Sequence, residues 1–270
     1  MAIHPAAIVD PGAKLEPGVE VGPYSVIYAG ARVGAGCRVA PHCTIFGEVS
    51  LGAENVLHPG VALGGPPQSV AFDKSLPSRV EIGDGNEFRE GFTVHRSELS
   101  GGVTRIGSHG FFMANSHVGH DCDVGDRVII ANNSLLGGHV QVGDAVFISA
   151  GAMVHQFTRI GRLALLQGKA GVGLDVTPFT IAAGTNRIAG VHAEGLRRAG
   201  VSEASRKALQ RVYRKLFLSG RPLARSIEEL GDDLRDPCVA ELVEFIQSSE
   251  RGVLRRQRTA RSSARGGDGD

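Results

Sequence analysis

The chain has 270 residues, enough for one large domain or two modest ones, and its formal charge of +1 gives no general argument for a nucleic-acid surface. Glycine is abundant at 38 residues and tryptophan is absent. No charged leader with an apolar core opens the chain, and no apolar stretch approaches the roughly 20 residues that span a bilayer. A cytoplasmic protein with no membrane span and no nucleic-acid partner is the expectation.

From Ile3 an aliphatic residue recurs at every sixth position through Val9, Leu15, Val21 and Ile27 to Leu63. A second unbroken series runs from Ile106 through Phe112, Val118, Val124 and Ile130 to Val172. Neither the 3.6-residue period of a helix nor the two-residue period of a strand produces this pattern, whereas a chain that turns a corner every six residues does. Four residues after each aliphatic position stands a small or β-branched residue, such as Ala31, Cys37, Cys43, Ser116, Cys122 or Ser134. One large and one small inward residue per hexad predict a narrow core of stacked coils. Three of the four cysteines, Cys37, Cys43 and Cys122, occupy the small slot, and reduced core packing is expected for them and for Cys238. Glycines after the aliphatic position, among them Gly22, Gly107 and Gly143, are expected to permit the tight corners.

The rhythm breaks at 64–79 and again at 95–105, and such insertions in repeat proteins form loops that commonly carry binding sites. Solenoid and loops together span 1–190. A helical domain is expected over 191–255, with Ser202 capping a helix over Glu203–Leu218, a second over Leu223–Arg235 and a third over Val239–Ser249. Residues 256–270 lack apolar side chains, and a disordered tail is expected there.

The densest polar cluster lies in the second series: Ala114-Asn115-Ser116-His117-Val118-Gly119-His120-Asp121-Cys122, then Gly137-Gly138-His139-Val140 and Val154-His155-Gln156-Phe157. His120 and His139 lie 19 residues apart and His139 and His155 lie 16 apart, each near the 18 of a three-hexad coil. The three imidazoles are therefore expected along one edge of neighbouring coils, an arrangement suited to proton transfer or to holding phosphate and hydroxyl groups.

The hexads match those of left-handed parallel β-helices, in which three hexads make a triangular coil. With Pro67-Gln68, Arg79-Val80-Glu81-Ile82-Gly83, Val94-His95-Arg96 and Glu194-Gly195-Leu196-Arg197-Arg198, the polar cluster closely resembles the UDP-N-acetylglucosamine acyltransferase family, which begins lipid A synthesis. The resemblance runs from about Ile3 to Leu254. It implies a mainly β fold, a left-handed parallel β-helix followed by a C-terminal α-helical domain. It also implies a homotrimer that moves a hydroxyacyl chain from acyl carrier protein to a UDP-sugar, with no metal or other cofactor.

By this resemblance His120 is the general base, Asp121 its orienting carboxylate and the Gly138 N–H the oxyanion donor. His117 and His139 would meet sugar and phosphate, and His155 and Gln156 the nucleotide and neighbouring pocket. Glu194 and Arg198 would contact the nucleotide, Gln68 the sugar, and Gly168 the end of the acyl chain, with His95 among the substrate contacts. Adjacent strand residues point to opposite faces, so the His120–Asp121 contact requires a corner between hexads.

Several positions depart from the family pattern. Gln68-Ser69-Val70-Ala71-Phe72 stands where Gln-Asp-Leu-Lys-Tyr is usual, His192 where asparagine is usual, and Ala199 where a second arginine is usual. They put the acceptor in question more than the chemistry. The rival readings are an acyltransferase acting on a modified UDP-sugar, a zinc site at His117, His120 and Cys122 as in a solenoid carbonic anhydrase, and a nonenzymatic scaffold. Arg206, Lys207, Arg211, Arg214 and Lys215 form a basic run that would suit an acidic carrier protein.

Overall fold

Each coil of the solenoid has three short strands, and every strand hydrogen-bonds in parallel to the one 18 residues further on where no loop intervenes. His117 pairs with Leu135, Leu135 with Met153 and Met153 with Gly171. In a computed structural model, which describes residues 2–256, the strands stack into three sheets of 11, 9 and 8 strands, the left-handed β-helix expected from the hexads. The aliphatic residue of each hexad and the small residue four places later fill the interior. Phe112, Val118, Cys122, Ala152 and Leu166 are fully buried, while Ile3 on the terminal coil is 43% exposed. Phe88, Phe92 and Phe112 stack in the core with ring centroids 4.9 to 5.1 Å apart.

The corners are made differently from the expectation. The left-handed backbone lies two residues after the glycines, at His109, Asn115, Asp121, Arg127, Asn133, His139, Ala145, Phe157 and Lys169. Gly107 and Gly143 are absent from that region of φ, and their role is close stacking: a Cβ at Gly143 would sit 2.6 Å from the Arg162 nitrogen of the next coil. The loops lengthen two turns without changing the sheet, so that Ala62 pairs with Thr93 and Thr93 with His117.

The solenoid does not pass directly into helix after Thr177. Its last strand, Thr180–Ala183, pairs antiparallel with Arg187–Val191, turning through Gly184 and Asn186, both at positive φ. The helices α1 (Ala193–Arg198), α2 (Glu203–Tyr213), α3 (Leu223–Glu228) and α4 (Pro237–Gln247) follow. The α2 N-cap is Ser202 as expected, its hydroxyl accepting the Ser205 N–H at 3.1 Å, but α2 passes at Arg214 into a π-helical turn ending at Leu218. The expected helix over Leu223–Arg235 is broken, because Gly231 at a φ of 53° starts a separate 3-10 turn. In α4 the Asp236 carboxylate caps the N–H groups of Cys238 and Val239, with Pro237 in the first turn. The chain then returns to the solenoid, where Leu254 donates to the Asp175 carbonyl at 2.9 Å. Of the expected tail, residues 257–270 lie outside the described residues. Among the described residues no helix is long and apolar enough to cross a membrane.

Candidate active site

His120 and Asp121 form one corner of the solenoid. Asp121 has a φ of 59°, a conformation an extended strand does not offer, and the turn brings its Oδ2 to 2.8 Å from His120 Nδ1. The same corner slot is filled one coil later by His139 and another coil later by Phe157, at φ 59° and 62°. These stack in order: the His120 and His139 rings meet edge to face at 5.1 Å, and His139 lies flat on Phe157 at 4.5 Å. His155 does not join them. Its 16-residue spacing leaves it two positions short of the slot, and its Nδ1 instead meets the Gln156 carbonyl and the Arg251 guanidinium, each at 3.1 Å.

The Asp121 carboxylate is held from three sides. Ser97 Oγ donates to Oδ1, and the Glu98 N–H donates to Oδ2 at 3.0 Å. The Asp121 N–H donates to Thr104 Oγ1 at 2.7 Å. Burial raises the Asp121 pKa, but the hydrogen bonds from Ser97, Glu98 and His120 and the nearby His139 outweigh it and hold the carboxyl below its ordinary value. An ionised carboxylate only accepts, which puts the His120 proton on Nδ1 and leaves Nε2 with its lone pair. The ring lies over Gly138, which is buried, and the Gly138 N–H has no acceptor among the described residues. A base, its orienting acid and a free backbone donor thus share one place.

Sequence reasoning marked 95–105 as a binding loop but missed Ser97 and Glu98, whose contacts depend on how the loop folds back. Arg96 fixes that fold. It is buried, donates to the Leu76 and Lys74 carbonyls at 2.8 and 2.9 Å, and lies over the Phe72 ring at 5.0 Å. The two loops are therefore tied together next to the His120 corner.

His95 and His117 form a second pair, their centroids 4.7 Å apart, with Thr93 Oγ1 at 2.8 Å from His117 Nδ1. Burial pushes His95 down to about 4, with the charges of His117 and His120 adding to the effect. Burial likewise lowers His117, against the bond to Thr93. A histidine kept neutral in the fold binds its proton more readily when unfolded. His95 therefore contributes stability fully present above about pH 6.5 and lost as the pH falls through about 4. Thermal melts across this window are expected to show a shallower acid-side loss of stability in His95→Gln than in the parent protein. Equal slopes would remove His95 as a contributor.

The other expected site residues are dispersed. Gln68, Gln156 and Gly168 are exposed at the surface. Glu194 and Arg198 pair with each other on α1 at 2.8 Å. Hydrogen bonds from Arg197 first, and then from Arg198, bring the exposed Glu194 down to about 2. The zinc set His117, His120 and Cys122 does not converge: the Cys122 thiol points into the core, donates to the Gly137 carbonyl at 3.1 Å, and is pushed up to about 12 by burial.

Residues 175–254 match a family model described as UDP N-acetylglucosamine O-acyltransferase, domain 2, and residues 12–47 and 104–138 match bacterial transferase hexapeptide repeats. An acyl-(acyl-carrier-protein) UDP-N-acetylglucosamine O-acyltransferase from Anaeromyxobacter sp. strain Fw109-5 is 46% identical over 258 residues, covering 94% of this chain and 100% of that one. The chain belongs to the UDP-N-acetylglucosamine O-acyltransferase family. A relative of the same name from Halorhodospira halophila is also 46% identical, over 94% of this chain and 99% of its own. The solved UDP-N-acetylglucosamine acyltransferase of Francisella novicida superposes with a TM-score of 0.90 at 31% identity over 95% of each chain. The O-acyltransferase of Moraxella catarrhalis gives 0.90 at 34% identity, over 94% of this chain and 100% of that one. Within the acyltransferase family pattern, His192 is a departure with a visible structural role: its Nδ1 meets the Leu163 carbonyl at 2.9 Å, pinning the start of α1 to the solenoid.

Proposed function

We propose that this chain transfers a 3-hydroxyacyl group from acyl carrier protein to the 3-hydroxyl of UDP-N-acetylglucosamine, the first step of lipid A biosynthesis, as a cytoplasmic homotrimer. The observation that carries this reading is the 2.8 Å His120–Asp121 pair set over Gly138 with Nε2 free. His120 Nε2 takes the hydroxyl proton as the sugar oxygen attacks the thioester carbonyl carbon. Asp121 stabilises the imidazolium that forms, and the Gly138 N–H receives the developing oxyanion. Collapse of the tetrahedral intermediate breaks the carbon–sulfur bond, and the proton passes from His120 to the departing carrier thiolate. The thioester is already activated, so no covalent enzyme intermediate is required.

In this reading His117 and His139 contact the sugar and phosphate, and His155 and Gln156 the nucleotide and its pocket. Gln68 and His95 lie toward the acceptor, Glu194 and Arg198 toward the nucleotide, and Gly168 at the end of the acyl groove. A Cβ at Gly168 would make only ordinary contact, 3.5 Å from the Ala150 carbonyl, so the site tolerates a side chain that would shorten the groove. Ser69 and Ala71 favour a second reading in which the acceptor is a modified UDP-sugar, because the loop lacks the carboxylate and lysine of the family pattern.

The deciding experiment incubates purified protein with hydroxyacyl carrier proteins of several chain lengths and a panel of UDP-sugars, reading products by mass spectrometry. An O-acylated UDP-N-acetylglucosamine formed with the highest kcat/KM is expected. Preference for another UDP-sugar would overturn the acceptor, and absence of product with every sugar would overturn the enzymatic reading.

A further inference from the structure

Glu98 reaches out of the second loop to the face of the histidine corner opposite Asp121. Its Oε2 lies 3.8 Å from His120 Nε2 and its Oε1 3.5 Å from His139 Nε2. One donor atom from each of Glu98, His120, Asp121 and His139 lies within 4.8 Å of the others. A tetrahedral zinc ion with nitrogen and oxygen ligands at about 2.0 to 2.2 Å sets those ligand atoms about 3.3 to 3.6 Å apart, close to the separations found here. The rings of His120 and His139 stand at 89° to each other, so the nitrogens approach from different directions instead of stacking flat. His120 already gives Nδ1–H to a carboxylate, the outer-shell partner that metal-bound imidazoles commonly have.

We propose that Glu98, His120 and His139 form a binding site for a divalent transition cation of the Zn2+ type, and that its occupation inhibits the transferase. Asp121 is the outer carboxylate that orients His120. Two imidazoles and one carboxylate favour Zn2+ over Mg2+, which prefers oxygen ligands and retains its waters. The three ligands leave a fourth position toward solvent; the His120 and Glu98 side chains are 17% and 31% exposed, so the ion has an entry path. Inhibition rests on the reading of His120 as the base: a metal bound through Nε2 takes the lone pair that would accept the hydroxyl proton. Binding itself does not rest on that reading.

The test titrates Zn2+ into untagged full-length protein by calorimetry without substrates, and follows the visible absorption of Co2+ as a report on coordination. One ion per chain with a tetrahedral Co2+ spectrum is expected. Glu98→Gln keeps the backbone N–H to Asp121 but removes the carboxylate charge, and should weaken Zn2+ binding on the order of 100-fold while preserving the transferase rate and its melting temperature. His139→Ala should weaken binding comparably. In the assay, Zn2+ should inhibit the parent protein, reversibly with chelator, and inhibit Glu98→Gln only at correspondingly higher concentration. Zn2+ affinity unchanged in both variants, or full occupancy with undiminished transfer, would overturn the proposal. A protein that binds Zn2+ as described but acylates no UDP-sugar would overturn the functional reading and leave the metal site standing.

Discussion

Replacing His120 with alanine is expected to lower kcat/KM for acyl transfer by about 10²- to 10⁴-fold, the usual contribution of a positioned general base. The loss should fall mainly on kcat, since the proton moves only as the carbon–oxygen bond forms. The solenoid should survive, because the His120 side chain sits at an outer corner, while the core beneath is filled by residues such as Val118 and Cys122. Kinetics on the folded variant, verified by circular dichroism, check both statements. A rate within twofold of the parent would assign the proton transfer elsewhere.

Gly138→Ala is expected to cost about 10²-fold in kcat, the size of loss that a displacement of about 1 Å at a reacting group produces. A Cβ at this position would lie 2.5 Å from His120 Cε1 and Nε2, so the imidazole must swing away. That movement gives up the 2.8 Å contact with Asp121. Gly138 does not occupy the left-handed region, so alanine brings no backbone strain, and the melting temperature should be little changed. A fully active Gly138→Ala would show that the ring has room to move without consequence.

The sequence made the solenoid legible because its physics is periodic. A residue that must point inward every sixth position leaves a trace that no loop or helix imitates, and Phe112, Val118 and Leu166 carry it into a buried stack. Corners were less legible because most left-handed positions here are not glycine. Asp121, His139 and Phe157 take that conformation because the coils on either side impose it. The small difference between 18 and 19 residues therefore separates the base from the corner slot, placing His139 beside Asp121 in register and His155 outside it. Ser97 and Glu98 left no periodic trace at all. Their position depends on Arg96 binding the carbonyls of Lys74 and Leu76, a tertiary contact between two irregular segments. In the helical part, Ser202 and Asp236 could be read as caps, but the breaks at Arg214 and Gly231 follow from packing and a positive φ that local propensity does not encode.

The central claim is that Asp121 works through His120 and has no separate hold on the reaction. A double-mutant cycle in kcat over the parent, His120→Ala, Asp121→Asn and the paired variant tests this directly, with folding of each protein verified by thermal melts. The account predicts that Asp121→Asn is damaging alone but lowers the rate of His120→Ala by no more than about twofold, because residues acting as one unit are strongly non-additive. Losses that multiply, so that the paired variant is slower than His120→Ala by the full factor of the Asp121 change, would contradict it.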